Sequence, residues 1–305
     1  MYVSRSPEGA WAGLGRPGAR PAGAMSQDDR RHGMAHALQA MRAIVVRELM
    51  KFGRQYGRLV SALVRPLLWL AVFAAGFRNV FGVSIVEPYD TYVPYDVYIA
   101  PGLVGMVLLF NGMQSSLAMV YDREMGLMRL LLTAPLPRPW ILLSKLTATA
   151  VLSLLQAAVF VVVAMLLGTD LPILGPALPH VLLAAVCGAL MLGSLGLLLS
   201  VHIKQLENFA GTMNFVIFPM CFMSTALYPL WKLEESGATW VFRVAQLNPF
   251  THAVEWFRFA LYGKDPGGSP WIVLGTLALC FALASWGYDP QRGFGALSKR
   301  PGGAS

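Results

Sequence analysis

The sequence predicts an all-α integral membrane fold: six transmembrane helices, an N-terminal amphipathic interface helix, and a re-entrant outer helical hairpin between helices five and six. Three observations predict it. Hydrophobic residues make up 56% of the 305 residues and charged residues only 13%, about half the charged share of a water-soluble chain. Stretches without Asp, Glu, Lys or Arg recur along the chain, and a helix needs about 20 such residues to cross about 30 Å of hydrocarbon. The basic residues behind the net charge of +8 collect between alternate stretches and form no nucleic-acid-binding motif. Cys187, Cys221 and Cys280 all lie in apolar runs, which makes them packing residues and excludes a disulfide-stapled secreted module.

Residues 1–33 begin with a stretch rich in Arg, Gly, Pro and Ala that lacks the apolar core of a secretory signal, and they read as a disordered tail. Met25 and Met34 are alternative starts. Over residues 34–58 the pattern changes: Leu38, Met41, Val45 and Leu49 recur at helical spacing, with Arg42, Arg47 and Lys51 on other faces. That is the signature of an amphipathic helix lying on the membrane interface.

The spanning domain covers residues 59–288. Its first span, Leu59 to Val80, carries Arg65 and Arg78 near its ends, where long side chains can reach the headgroups. The others are Val97 to Tyr121, Leu146 to Thr169, Leu171 to Ile203 trimmed by its leading prolines, Asn208 to Trp231, and Pro266 to Tyr288. Residues 289–305 form a C-terminal tail. An even number of spans places both termini on one side. Basic residues before the first span, at 123–145 and in the C-terminal tail make that side the cytoplasm, against one exception in Lys232, Arg243, Arg258 and Lys264. A cytoplasmic, inner-membrane orientation of both termini follows.

Residues 229–265 are too apolar for an ordinary connection. Two short helices broken at Asn248-Pro249, with Asn248 as cap and Pro249 at the first helical position, satisfy the pattern. They read as a hairpin dipping into the outer leaflet, or alternatively as an amphipathic helix resting on the outer surface. Within the spans, Asn111, Gln114, Gln156 and Asn214 are polar, either bonding between helices or lining a pathway. Ala185, Ala189 and Gly193 make a small-residue stripe suited to close helix approach, and Pro66 and Pro219 are expected kinks.

The segment 121–140 concentrates charge at its start, repeats Leu127, Leu130 and Leu131 at helical spacing, and stops at Pro135, Pro137 and Pro139. It contains Glu124, Gly126, Leu130 to Leu132, Thr133 to Pro135, and then Arg138 through Ile141-Leu142 to Lys145. In that order these features resemble the cytoplasmic loop of type-2 ABC transporter permeases. A second element, Asn248-Pro249-Phe250-Thr251-His252 followed by Arg258, is similar to the family's motif before the last span. The resemblance covers about residues 38–288, and Tyr89 to Gln114, Gln205 to Pro219 and Leu227 to Trp231 also resemble a narrower subgroup associated with quinoprotein alcohol oxidation in Gram-negative bacteria.

The resemblance implies a permease subunit that pairs with a second copy or a paralogue. It also implies two cytoplasmic ABC ATPase subunits bound through a coupling helix at Asp122 to Thr133. Asp122, Arg123, Glu124, Gly126, Arg129, Leu130, Thr133 and Pro135 would be the coupling residues. Most relatives export lipids, glycans or drugs, so export is the implied direction. ATP and Mg would be used by the partner ATPase, and no cofactor by this chain, which has no Gly-x4-Gly-Lys-Ser/Thr phosphate loop. The expected class is therefore a non-catalytic subunit of an ATP-driven transporter. A non-ABC carrier or channel and a structural membrane subunit are the alternatives. An intramembrane enzyme is disfavoured because His180, His202 and His252 fall at span ends or in the outer hairpin, away from Ser115, Ser116 and Ser194.

Overall fold

The computed structural model describes residues 27–54, 56–77, 88–89, 93–125, 137–173, 175, 177–203, 205–230, 237 and 239–287. Among them every extended regular element is an α-helix: α1 (Gln27–Gly53), α2 (Tyr56–Phe77), α3 (Tyr95–Glu124), α4 (Arg138–Leu166), α5 (Leu178–His202), α6 (Leu206–Phe222), α7 (Thr239–Leu247), α8 (Pro249–Leu261) and α9 (Ser269–Gly287). The chain divides into two units, Met1–Gln39 and Ala40–Ser305. The described residues of the first, 27–39, are helical, so α1 begins ahead of the expected Met34. The second unit holds the remaining helices.

Local chemistry sets the helix ends. Pro137 precedes α4 and Pro139 sits in its first turn, and prolines likewise open α5 and α8, where the missing N–H would have had no partner anyway. α4 closes at Gly168, whose φ of 93° lets Thr169 donate back to the Ala164 carbonyl at 3.1 Å. α8 closes the same way at Gly263, with Lys264 donating to Phe259.

Helices α3 and α5 form the centre, each packed against several neighbours, while α9 lies at the periphery against α5 and α8. Close approach of α3 to α5 depends on glycine. A methyl at Gly112 would sit 3.1 Å from the Leu192 carbonyl oxygen, and one at Gly196 would overlap Ser116 and the Gly112 oxygen. Ala185, Ala189 and Gly193, the expected small-residue stripe, are all buried, and Gly193 is closed by Leu146 of α4. Gly102 abuts the backbone of Ala226, so the turn after α6 lies directly on α3.

Among the described residues, four helices, α3, α4, α5 and α9, are long and apolar enough to cross a membrane. Of the other two expected spans, helix α2 is 22 residues long and carries Arg58 and Arg65, and Pro66 lies within it without ending it. Helix α6 ends at Phe222 rather than running to Trp231, a length of 17 residues and about 25 Å of rise. The cause is a tight turn at residues 223–228 whose carbonyls are captured by α3 and α8, as described below. The outer segment matches its expected local form. Helices α7 and α8 are separated by Asn248, whose side chain accepts from the Phe250 amide, and Pro249 opens α8. The expected C-terminal tail, 289–305, and residues 1–26 of the N-terminal tail lie outside the described residues.

Candidate functional site

Asp122, Arg123 and Glu124 form the last turn of α3, continuing the helix rather than starting a separate one. Each of these consecutive residues holds a different helix. Buried Asp122 pairs with Lys145 of α4 at 2.9 Å. Arg123 donates through Nη2 to the carbonyls of Ser200 and Ile203, at 2.6 and 2.8 Å, and so caps the C-terminal end of α5 with a cation. Exposed Glu124 accepts from the Leu206 amide at 2.8 Å, placing a carboxylate on the N-terminal end of α6. Gly126, Arg129, Leu130, Thr133 and Pro135 lie outside the described residues.

Above this clamp lies a cavity of about 530 Å³ between α1, α3 and α4. Asn111, Gln114 and Ser115 share one face of α3 and line it, as do Lys145 and Thr149 of α4 and Glu48 and Lys51 of α1. At its inner end Asn111 donates to the Oε1 of Gln156 in α4, an interhelical amide bond. The Nε2 of Gln156 is buried without a hydrogen-bond partner. Of the four polar span residues, two thus line one cavity and a third, Gln156, is bonded to one of them. Asn214 is elsewhere, lining a second cavity of about 420 Å³ between α2, α3 and α6. There the Arg65 guanidinium lies 4.4 Å from the centre of the Phe110 ring.

The motif before α9 occupies the opposite end of α3. Asn248, besides capping α8, donates through Nδ2 to the carbonyls of Met220 and Met223 at 2.9 and 2.7 Å, satisfying the end of α6. His252 bridges Gln246 of α7 and Ser269 of α9. Arg258 is 2% exposed: it pairs with Glu255, donates to the Thr225 carbonyl at 2.9 Å, and lies 4.2 Å from the Tyr98 ring centre. Tyr98 also donates to Thr225, and Tyr95 to the Leu227 carbonyl, so one turn is held by α3 and α8 together. Burial raises the Tyr89 hydroxyl well above the ordinary tyrosine range, and the Arg258 charge only partly opposes this. Burial does the same, more weakly, to Tyr262, whose ring packs on Tyr89.

Sequence reasoning missed Tyr95, Tyr98 and Glu255, and it used Lys145 as the end of a motif and as a basic residue of the cytoplasmic side, without a partner. A lone lysine inside a run as apolar as residues 141–166 is the one available signal, because a buried ammonium requires a partner. Among the described residues no group of His, Cys, Asp or Glu could hold a metal ion.

Comparison with known proteins agrees with this architecture. Residues 39–262 match the ABC-2 type transporter family. The chain is 30% identical over 233 residues to the transport permease ycf38 of Porphyra purpurea, covering 75% of this chain and 76% of that one. It is 31% identical over 248 residues to ycf38 of Cyanophora paradoxa, covering 79% and 78%. It is 23% identical over 262 residues to the inner membrane transport permease YadH of Escherichia coli, covering 85% and 97%. The family match spans most of the chain and agrees with its apolar helices, so the protein belongs to the ABC-2 type transporter family as a membrane-embedded transport permease.

Proposed function

We propose that this chain is the permease subunit of an ATP-driven exporter. It pairs with a second permease copy or a paralogue, and separate cytoplasmic ABC ATPase subunits dock on the segment 122–135. Helices α2 to α6 and α9 supply six spans with both termini in the cytoplasm, and α7 and α8 form the re-entrant outer hairpin. The observation that carries this reading is the triple attachment of Asp122, Arg123 and Glu124 to α4, α5 and α6. A load reaching Glu124 enters three other helices through hydrogen bonds and an ion pair. Such a fastening suits a transmission point, because packed helices shift as units.

The test is co-reconstitution of the full chain with its partner ATPase in liposomes. ATP hydrolysis should depend on the permease. Glu124→Ala should lower permease-dependent hydrolysis severalfold by freeing the α6 amide end, and Gly126→Pro should do the same from within the loop. Hydrolysis coupled as in the parent chain in both variants would refute the assignment.

A further inference from the structure

We propose that Arg65 makes the cavity between α2, α3 and α6 a site for an organic anion with a flat aromatic body. The proposal deepens the transporter reading, on which it rests for α2 as a span, by fixing the sign of charge that the cavity admits; the family resemblance leaves that sign open.

Arg65 stands near the middle of α2, nine residues after Tyr56 and twelve before Phe77. Its guanidinium lies over the Phe110 ring of α3, 4.4 Å from the ring centre. An arginine so placed in a spanning helix ordinarily pairs with a carboxylate or faces a polar cavity. Here no carboxylate answers it. Arg65 is the only charged residue lining the cavity of about 420 Å³, and among the described residues its side chain makes no ion pair and no hydrogen bond. The face of Phe110 attracts the charge but leaves the five N–H donors without an acceptor. Asn214 of α6 lines the same cavity, and among the described residues its amide makes no hydrogen bond either.

The rest of the wall is apolar and largely aromatic. Trp69 meets Phe222 edge to face at 5.8 Å between ring centres, and Phe222 stacks on Phe218 at 6.2 Å with 20° between the planes. Phe218 and Phe222 are 50% and 41% exposed, so part of each ring remains open to a further ring. A guanidinium fork and an amide beside a row of rings match a planar aromatic compound that carries one carboxylate or sulfonate. The oxyanion takes the fork and the ring joins the row. A lipid tail would fill the volume without using the ring faces. About 420 Å³ is within the range that holds a whole small ligand.

The test is equilibrium dialysis of the full chain in phosphatidylcholine nanodiscs, with empty nanodiscs subtracted. The probes are naphthalene-2-sulfonate, 2-naphthylmethanol and trimethyl(2-naphthylmethyl)ammonium. The sulfonate should saturate one site per chain and bind about tenfold more tightly than the alcohol or the ammonium, the difference expected for one charge-assisted bond. Arg65→Gln should remove that advantage, and Arg65→Lys, which restores the charge without the fork, should recover part of it. Asn214 is exposed on α6, so Asn214→Leu should leave the fold intact while weakening the sulfonate severalfold. Arg243→Gln on exposed α7 should change nothing. Equal binding of the three naphthalenes, as when a carboxylate of a second copy already holds Arg65, would overturn the site. Parent-like binding of the sulfonate in both Arg65→Gln and Asn214→Leu would do the same. Equal binding of cyclohexanesulfonate would remove the aromatic body from the proposal. Because no ATPase is present in the dialysis, intact binding together with ATP hydrolysis that does not depend on the permease would count against the transporter reading alone.

Discussion

Asp122 is a carboxylate taken out of water at the end of an otherwise apolar helix, and Lys145 makes this tolerable by standing 2.9 Å away. Removing one member of a buried pair leaves the other charge uncompensated, at a cost of about 3–5 kcal/mol, whereas replacing both with apolar side chains is close to neutral. Asp122→Asn should therefore lower the midpoint of thermal unfolding in detergent substantially, and Asp122→Leu combined with Lys145→Met should recover most of the loss. A single variant as stable as the parent chain would show that the pair is not buried in solution. The family resemblance marked Asp122 as a coupling residue but could not supply its partner. The two lie in different helices, 23 residues apart, and helical spacing rules relate only residues three or four apart. Arg258 is the same case. Its neighbour Glu255 is one turn away, within the reach of helical spacing, but its contacts with Thr225 and Tyr98 are 33 and 160 residues distant.

At the scale of elements, the punctuation of the outer segment was readable because Asn and Pro act locally: Asn248-Pro249 separates α7 from α8 as expected. What local chemistry does not contain is that the same Asn248 side chain also terminates α6 through Met220 and Met223. Asn248→Ala should thus cost more than the roughly 1 kcal/mol of an ordinary lost cap, because two carbonyls of another helix lose their donor as well. Asn248→Asp keeps the cap acceptor and discards the donor, so a chemical-denaturation series comparing the two variants separates these contributions. Equal destabilisation by Ala and Asp would place nearly all of the effect in the α6 contacts; no loss in Asp would show that they contribute nothing. The overlong expected fifth span has the same origin. Apolar residues continue past Phe222, but Tyr95, Tyr98 and Arg258 capture the carbonyls that a continuing helix would have used itself.

For the whole molecule, composition announced a membrane protein, and the outward faces agree. Leu155 and Val162 of α4 and Leu279 and Leu283 of α9 are exposed apolar side chains, while the flanks of α9 carry Trp271 and Trp286, 77% and 87% exposed. Tryptophan favours the boundary between hydrocarbon and headgroup, so these two residues should mark the two interfaces. In liposomes containing brominated lipids, fluorescence should be quenched, and Trp271→Phe and Trp286→Phe should each remove part of the quenched signal while leaving stability nearly unchanged. Quenching that survives both substitutions in full would mean that α9 does not meet lipid. Composition alone did not say which apolar helix is central. Helices α3 and α9 are both apolar, yet α3 is buried and α9 is not. The distinguishing marks were the glycines and amides of α3, residues that gain from contact with protein and gain nothing from lipid.

The bond between Asn111 and Gln156 also bears on how the chain is made. Helix α3 leaves the ribosome before α4, so for a time its Asn111 has no protein amide to meet and must be offered to lipid or water. Synthesis of α4 ends that interval. The two helices are accordingly expected to enter the bilayer as a pair: in an insertion assay with engineered glycosylation sites, residues 88–125 alone should integrate less completely than residues 88–173, and Asn111→Leu should abolish the difference. Equal integration of the two fragments would show that α3 enters without its neighbour.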